Sequence, residues 1–139
     1  LTCGRLHKQK NIFTLIDYFK MYKIRNPKTE LHIVGDGEEK NKIITYIKKN
    51  NLNKNIFVHG SQKKLHNYYL DSDVYISTSL TEGFGNTFLE ALNYNLPIIS
   101  FINNINLILK KNYKILNPSI FSFKKDIVYE KYFNFIKNV

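Results

Sequence analysis

At 139 residues, with 43% hydrophobic and 14% aromatic side chains, the chain has enough apolar material for one globular domain with a real core. No apolar run reaches bilayer-spanning length, so a soluble protein is expected. The net charge of +10 comes from 21 Lys and Arg against 11 Asp and Glu, yet the only arginines are Arg5 and Arg25. A specific nucleic-acid reader leans on arginine for bidentate base contacts, so a lysine excess beside many Asn and Ile reads as compositional bias, and no nucleic-acid partner is expected. Cys3 is the lone cysteine, which excludes an internal disulfide and points to a reducing cytoplasm. The chain has no initiator methionine and opens on what reads as the end of a strand, so a fragment of a longer protein is expected.

Leu1-Thr2-Cys3 reads as that strand end, and Gly4-Arg5 as the turn after it. From Asn11 to about Lys23, Ile12, Leu15, Ile16, Phe19 and Tyr22 recur at helical spacing, giving an amphipathic helix that Asn26-Pro27 ends. Glu30–Val34 reads as a strand stopped by Gly35-Asp36-Gly37. A second helix is expected from about Glu39 to Lys49, with Ile43, Ile44 and Ile47 as its stripe. Ile56–Val58 is the next strand, ending at His59-Gly60. A short helix follows over Lys63–Leu70, carrying Leu65, Tyr68 and Tyr69. Asp73–Ser77 is a strand, Asn93–Asn95 close the helix that comes after it, and Pro97–Phe101 is a strand again. Beyond Phe101 the pattern weakens, with a small strand expected at Lys114–Leu116 and a helix from about Tyr129 to Lys137.

Strands and helices alternating at these intervals predict an α/β domain, a doubly wound parallel sheet of Rossmann type. Right-handed crossovers place the segments that follow each strand on one edge. Gly4-Arg5, Gly35-Asp36-Gly37, Gly60-Ser61 and Thr78–Gly85 are therefore expected to gather there.

The stretch Glu82–Leu92, EGFGNTFLEAL, is the centre of that edge. It reads as a polar loop, a Gly-x-Gly turn and a helix whose inner face is Phe88, Leu89, Ala91 and Leu92. Gly83 and Gly85 allow the backbone to approach a ligand closely. Asn86 and Thr87 open the helix, whose first N–H groups lack intrahelical partners and favour an anion. A phosphate above Gly85–Thr87 leaves Glu82 on one side and Glu90, a turn deeper, on the other, each within reach of sugar hydroxyls. A capped amphipathic helix with a solvated Glu90 is the plainer alternative. Two glutamates also suit a glycosidase acid and base, but that chemistry needs no Gly-rich helix start. His7, His32, His59 and His66 show no ligand spacing, so no metal is expected.

GRL-(x)3-K at Gly4–Lys10, IVGDG at Ile33–Gly37, FVHG at Phe57–Gly60 and SDVYISTSLTEGFGNTFLEALNYNLPIIS at Ser72–Ser100 carry a resemblance. Together they resemble the C-terminal, nucleotide-sugar-binding domain of the family-four retaining glycosyltransferases of GT-B fold. The likeness covers about Leu1 to Phe101, with a divergent tail over residues 102–139.

The resemblance implies that Arg5 and Lys10 neutralise the donor diphosphate, with Gly4 in the same loop. It implies that Glu82 binds donor sugar hydroxyls and Glu90 the nucleotide ribose. Gly83, Phe84, Gly85, Asn86 and Thr87 match the loop that holds sugar and phosphates, and Gly60, Ser61, Gln62 and Leu65 fall near the base. It further implies a nucleotide-diphosphate sugar as donor substrate and no cofactor. The acceptor would be a glycan or lipid-linked molecule held by an N-terminal domain that this chain lacks, at the cytoplasmic face of a membrane. After PIISF the family has a Gly-containing loop and a Glu; here INNINLILKKNYKIL has neither. A catalytically inactive nucleotide-binding or docking module left by truncation is the alternative expectation.

Overall fold

The computed structural model describes residues 1–81 and 86–100. Five strands are present among them: β1 (Thr2–Cys3), β2 (Leu31–Val34), β3 (Ile56–Val58), β4 (Tyr75–Ser77) and β5 (Ile98–Ser100). Four helices alternate with them: α1 (Ile12–Arg25), α2 (Lys40–Lys49), α3 (His66–Leu70) and α4 (Asn86–Asn93). A 3-10 turn over Lys8–Lys10 precedes α1. The strand expected at Lys114–Leu116, the helix expected at Tyr129–Lys137, and Glu82, Gly83, Phe84, Gly85 and Phe101 lie outside the described residues.

Every strand pair among the described residues is parallel. Thr2 and Cys3 pair with Ile33 and Val34, while Leu31, His32 and Ile33 pair with Ile56, Phe57 and Val58. Tyr75, Ile76 and Ser77 pair with Ile98, Ile99 and Ser100. Leu1 joins the two ladders: its amino group donates to the Val74 carbonyl at 2.9 Å, and the Ile76 amide donates to the Leu1 carbonyl at 2.8 Å. The spatial order is thus β3-β2-β1-β4-β5. The order in which successive strands are laid down reverses between β1 and β4, and such a switch point opens a crevice at the carboxyl ends of the two strands.

Alternation along the strands feeds two cores. Leu31, Ile33 and Ile56 face α1 and α2, where Ile12, Leu15, Ile16, Phe19, Ile43 and Ile47 close over them. Cys3, Val34, Tyr75 and Ile98 face the other way, against Tyr69 of α3 and Phe88, Ala91 and Leu92 of α4. Leu15, Ile16, Ile33 and Ile43 are essentially without solvent contact. Each such aliphatic side chain contributes roughly 2 kcal/mol by burial. The α1 stripe is fully buried as far as Phe19; Tyr22, one turn on, is half-exposed, as is Ile44 of α2.

Two expectations about helices need correction. α3 starts at His66, three residues later than the expected Lys63. Lys63 and Lys64 are exposed, and the Gln62 side chain donates to the His59 carbonyl at 2.8 Å, which holds the preceding segment as a loop. Leu89 was expected on the inner face of α4 but is 36% exposed. Phe88, Ala91 and Leu92 fall at i, i+3 and i+4 and share one face, whereas Leu89 is rotated about 100° from Phe88.

Candidate functional site

The carboxyl edge of the sheet is assembled by backbone bonds between loops. The Gly4 amide donates to the Val34 carbonyl at 2.9 Å, and the Gly35 amide to the Gly60 carbonyl at 2.8 Å. The Leu6 amide reaches the Asp36 carbonyl at 2.8 Å, and the Glu39 amide returns to the Leu6 carbonyl at 3.0 Å. The segments after β1, β2 and β3 therefore form one rim, as the alternation of elements predicts.

The segment after β4 joins that rim through the β1 loop. The Leu80 amide donates to the Gln9 carbonyl at 2.8 Å. The Gln9 side-chain amide donates to the Thr81 carbonyl at 2.9 Å and also to the Thr81 hydroxyl. The buried Thr78 hydroxyl donates to the carbonyls of Lys10 at 3.1 Å and Asn11 at 3.0 Å. The loop that carries Arg5 and Lys10 is thus stitched to the residues leading directly into Glu82.

Within the β1 loop, the 3-10 turn is capped by His7, whose Nδ1 accepts the Gln9 amide at 3.3 Å. Asn11 closes the turn in the left-handed conformation (φ 51°) and starts α1; Asn is the residue that tolerates it best after glycine. The turn brings the Lys10 side chain back over Gly4, where a Cβ on Gly4 would lie 3.3 Å from Lys10 Nζ. The Lys10 ammonium is therefore at the carboxyl end of β1. Arg5, five residues before it, is exposed.

At the other side of the crevice, α4 begins with Asn86 exposed and Thr87 half-exposed. Glu90 is half-buried one turn in, and its Oε2 accepts a hydrogen bond from the Tyr69 hydroxyl at 2.8 Å. Burial, then the neighbouring Cys3 and Glu90, pushes the Tyr69 hydroxyl far above the ordinary tyrosine range, so it is a permanent donor. Burial likewise pushes the Cys3 thiol up to about 11, against the Tyr69 hydrogen bond that favours its thiolate. Cys3 is consequently an unreactive core residue.

Gly60 is fixed on the rim by its bond from Gly35, beside the Lys40–Asp36 ion pair at 2.7 Å. The Lys40 hydrogen bond, then the Gly37 amide, holds the Asp36 carboxyl below its ordinary value. Ser61 and Gln62 are exposed on the rim next to it, and Leu65 is half-buried against the core around Tyr69. The structure therefore groups Gly4, Arg5, Lys10, Gly60, Ser61 and Gln62 on one edge, with α4 opening from the segment stitched to it. No group of three or more His, Cys, Asp or Glu disposed to hold a metal ion occurs among the described residues.

Sequence reasoning missed Gln9, Thr78 and Tyr69 as parts of this architecture. Gln9 carried one signal, its place between the two cations of the first loop. Tyr69 carried none, because its partner lies 21 residues away.

Comparison with known proteins bears on the family and the fold. The family model described as glycosyl transferases group 1 matches residues 1–131. An uncharacterized glycosyltransferase of Methanocaldococcus jannaschii, MJ1059, is 42% identical over 100 residues, covering 72% of this chain and 25% of that protein. The amylovoran biosynthesis glycosyltransferase AmsD of Erwinia amylovora is 41% identical over 101 residues, covering 73% of this chain and 28% of that protein. The chain thus spans about a quarter of the length of these curated relatives. The pneumococcal O-GlcNAc transferase GtfA, solved in complex with UDP and GlcNAc, superposes with a TM-score of 0.77 at 27% identity, over 97% of this chain and 27% of that one. Staphylococcus aureus TarM superposes with a TM-score of 0.82 at 24% identity, over 98% of this chain and 28% of that one, and so supports the fold.

Proposed function

The chain belongs to the group 1 glycosyl transferases and has the Rossmann-like architecture of one half of a GT-B fold, and on that premise we propose that it is the donor-binding domain of a retaining enzyme. In this reading it binds a nucleotide-diphosphate sugar in the crevice between β1 and β4. The sugar passes to a glycan or lipid-linked acceptor held by a second, N-terminal domain. The observation that carries the reading is the junction of the two loops, with the Leu80 amide on the Gln9 carbonyl at 2.8 Å. It puts the segment bearing Arg5 and Lys10 against the segment leading into Glu82.

Each residue has a physical task in this proposal. Arg5 and Lys10 offset the diphosphate charge, which grows as the bond to the anomeric carbon breaks, so their attraction is strongest in the transition state. Gly83, Phe84, Gly85, Asn86 and Thr87 supply backbone and helix-start amides to the phosphates and sugar. Glu82 accepts hydrogen bonds from sugar hydroxyls, and Glu90 from the ribose. With retention, the departing phosphate itself takes the acceptor's proton on the same face, so no cofactor is called for. The surplus of lysine would assist docking at an anionic membrane face.

Calorimetry with UDP and UDP-GlcNAc tests the donor site. Arg5→Ala and Glu82→Ala are each expected to weaken binding of the sugar nucleotide by about tenfold or more, the effect of losing a charge-assisted hydrogen bond. Unchanged affinity in both variants overturns the proposal. The absence of Gly and Glu from residues 102–116 favours a second reading, a nucleotide-binding module without transfer activity. Sugar transfer upon co-expression with an N-terminal domain would exclude that module, and nucleotide binding without transfer would establish it.

A further inference from the structure

The Tyr69 hydroxyl is an unusual group for the middle of a core. Its residue is 1% exposed, packed among Cys3, Tyr75, Phe88 and Leu92, yet its oxygen points at the only carboxylate on α4. The ring is pinned on two sides. It stacks on Tyr94 with centroids 5.1 Å apart and planes 2° apart, and on Tyr75 at 6.3 Å and 27°. Tyr94 is in turn held through its hydroxyl, 3.0 Å from His66 Nδ1. A ring so fixed holds its hydroxyl oxygen between the Cys3 sulfur and the Glu90 carboxylate, and the hydrogen bond it donates at 2.8 Å goes to Glu90 Oε2.

We propose that Tyr69 is a positioning residue for the nucleotide ribose, clamping Oε2 of Glu90 so that Oε1 faces the crevice as a fixed acceptor for a vicinal diol. The inference rests on the donor-site reading above and adds the device that orients its inner glutamate. Two observations and one physical argument carry it. Glu90 is half-buried on α4, the helix that opens at the carboxyl edge, and Tyr69 reaches it from α3 on the same face of the sheet. Cys3, the last residue of β1, abuts the same hydroxyl, so the pair is located at the sheet's reversal point rather than elsewhere on the helix. A carboxylate on an eight-residue helix otherwise has rotamer freedom that a ligand would have to remove, and a preformed acceptor spares that ordering.

The clamp also dictates chemical identity at Glu90. Because the tyrosine only donates, the atom facing it must accept, which leaves the second atom of the side chain for the ligand. A carboxylate presents an acceptor there. An amide held the same way presents an NH2 group, which cannot accept from hydroxyls.

The test uses the full chain and compares UDP with 2′-deoxy-UDP by calorimetry, with thermal melts alongside. Wild-type protein is expected to prefer UDP by about tenfold, the contribution of one hydroxyl bonded to a charged acceptor. Tyr69→Phe keeps the ring stack and is expected to reduce that preference to about two- to threefold, whereas Glu90→Ala abolishes it. Tyr94→Phe, which removes the His66 contact but not the stack, is expected to keep the preference. Should Tyr69→Phe fail to fold, Glu90→Gln decides: a clamped amide behaves like Glu90→Ala, while a free amide turns its oxygen to the ribose and keeps most of the preference. Wild-type discrimination in Tyr69→Phe, or retained discrimination in Glu90→Gln, overturns the clamp and leaves the donor site standing. Unchanged discrimination in Glu90→Ala overturns the ribose assignment itself, and the clamp with it.

Discussion

The α-carbon of Gly35 is pressed against the carbonyl oxygen of Gly4, so that a Cβ at Gly35 would overlap that oxygen. The contact joins the ends of β1 and β2 where the candidate phosphate crevice opens. Gly35 also has φ 149°, a region that side chains disfavour. Gly35→Ala must therefore push the first loop away from the second, and a cost on the order of 3 kcal/mol is expected. Gly60→Ala is the useful contrast. Its φ is 70°, but a Cβ there meets side-chain ends rather than backbone, Lys40 Nζ at 3.2 Å and Asp36 Oδ2 at 3.8 Å. That change is expected to cost about 1 kcal/mol, the strain of a left-handed alanine. Urea denaturation of the two variants checks the ranking, and equal midpoints would refute the close approach.

Gln9 ties the first loop to Thr81 through its side-chain amide, and both residues are exposed. Exposed hydrogen bonds add little to global stability. Gln9→Ala is accordingly expected to lower unfolding free energy by under about 1 kcal/mol. Its effect on ligand should be larger than its effect on the fold, because Thr81 directly precedes Glu82. A loss of about fivefold in UDP-GlcNAc affinity is expected, equivalent to one hydrogen bond's worth of misplacement. A variant that melts with wild type and binds with wild-type affinity would show that the latch has no role in the site.

The sheet was legible because local pattern and global fold agree along most of the chain. β2, β3 and β5 are short apolar runs bounded by Gly, Asn or Pro, and their crossovers are helices with clear stripes, so a parallel doubly wound sheet is the one architecture that satisfies them all. The gathering of Gly4, Gly35 and Gly60 on one edge followed from that topology alone. What sequence could not supply was side-chain partnership across it. Tyr69 read as one more apolar residue on a short helix, and only the tertiary arrangement aims its hydroxyl at Glu90. Asn11 read as an ordinary helix start, whereas its left-handed backbone is imposed by the 3-10 turn before it. Leu89 was misplaced because four apolar residues in a run of five leave the helix face ambiguous until the core selects it.

The face of α4 provides a direct check on that selection. Phe88 is 3% exposed and meets Tyr75 edge-on, with centroids 5.7 Å apart and planes at 79°. Phe88→Ala is expected to cost about 3–5 kcal/mol, since the cavity would lie between helix and sheet. Leu89→Ala, one residue away, removes a side chain that is 36% exposed and is expected to cost under about 1 kcal/mol. Thermal melts of the pair distinguish the two faces. Similar losses would mean that Leu89 is inside after all.

Acid should loosen the outer edge of the sheet through His32 and His59. Their rings stack with centroids 5.1 Å apart and planes 8° apart, and His32 Nδ1 is 2.9 Å from His59 Nε2. One ring nitrogen must donate and the other accept, an arrangement that two protonated rings cannot keep. Around them are the Glu30 carboxylate, 3.2 Å from His32 Nε2, the Tyr68 ring, 4.9 Å from the His59 ring, and the Phe57 ring. Burial, then the charge of His32, lowers the His59 pKa from its ordinary 6.5. The fold thus favours neutral His59, so its contribution to stability is complete above the unfolded value of 6.5 and is lost as pH falls through the lower folded value. Urea midpoints measured from about pH 7.5 down to about pH 5.5 span the onset of that loss. Wild-type protein is expected to lose stability more steeply over this range than His59→Gln, which keeps a hydrogen-bonding side chain but does not titrate. Identical slopes for the two proteins would show that the imidazole pair does not couple protonation to folding.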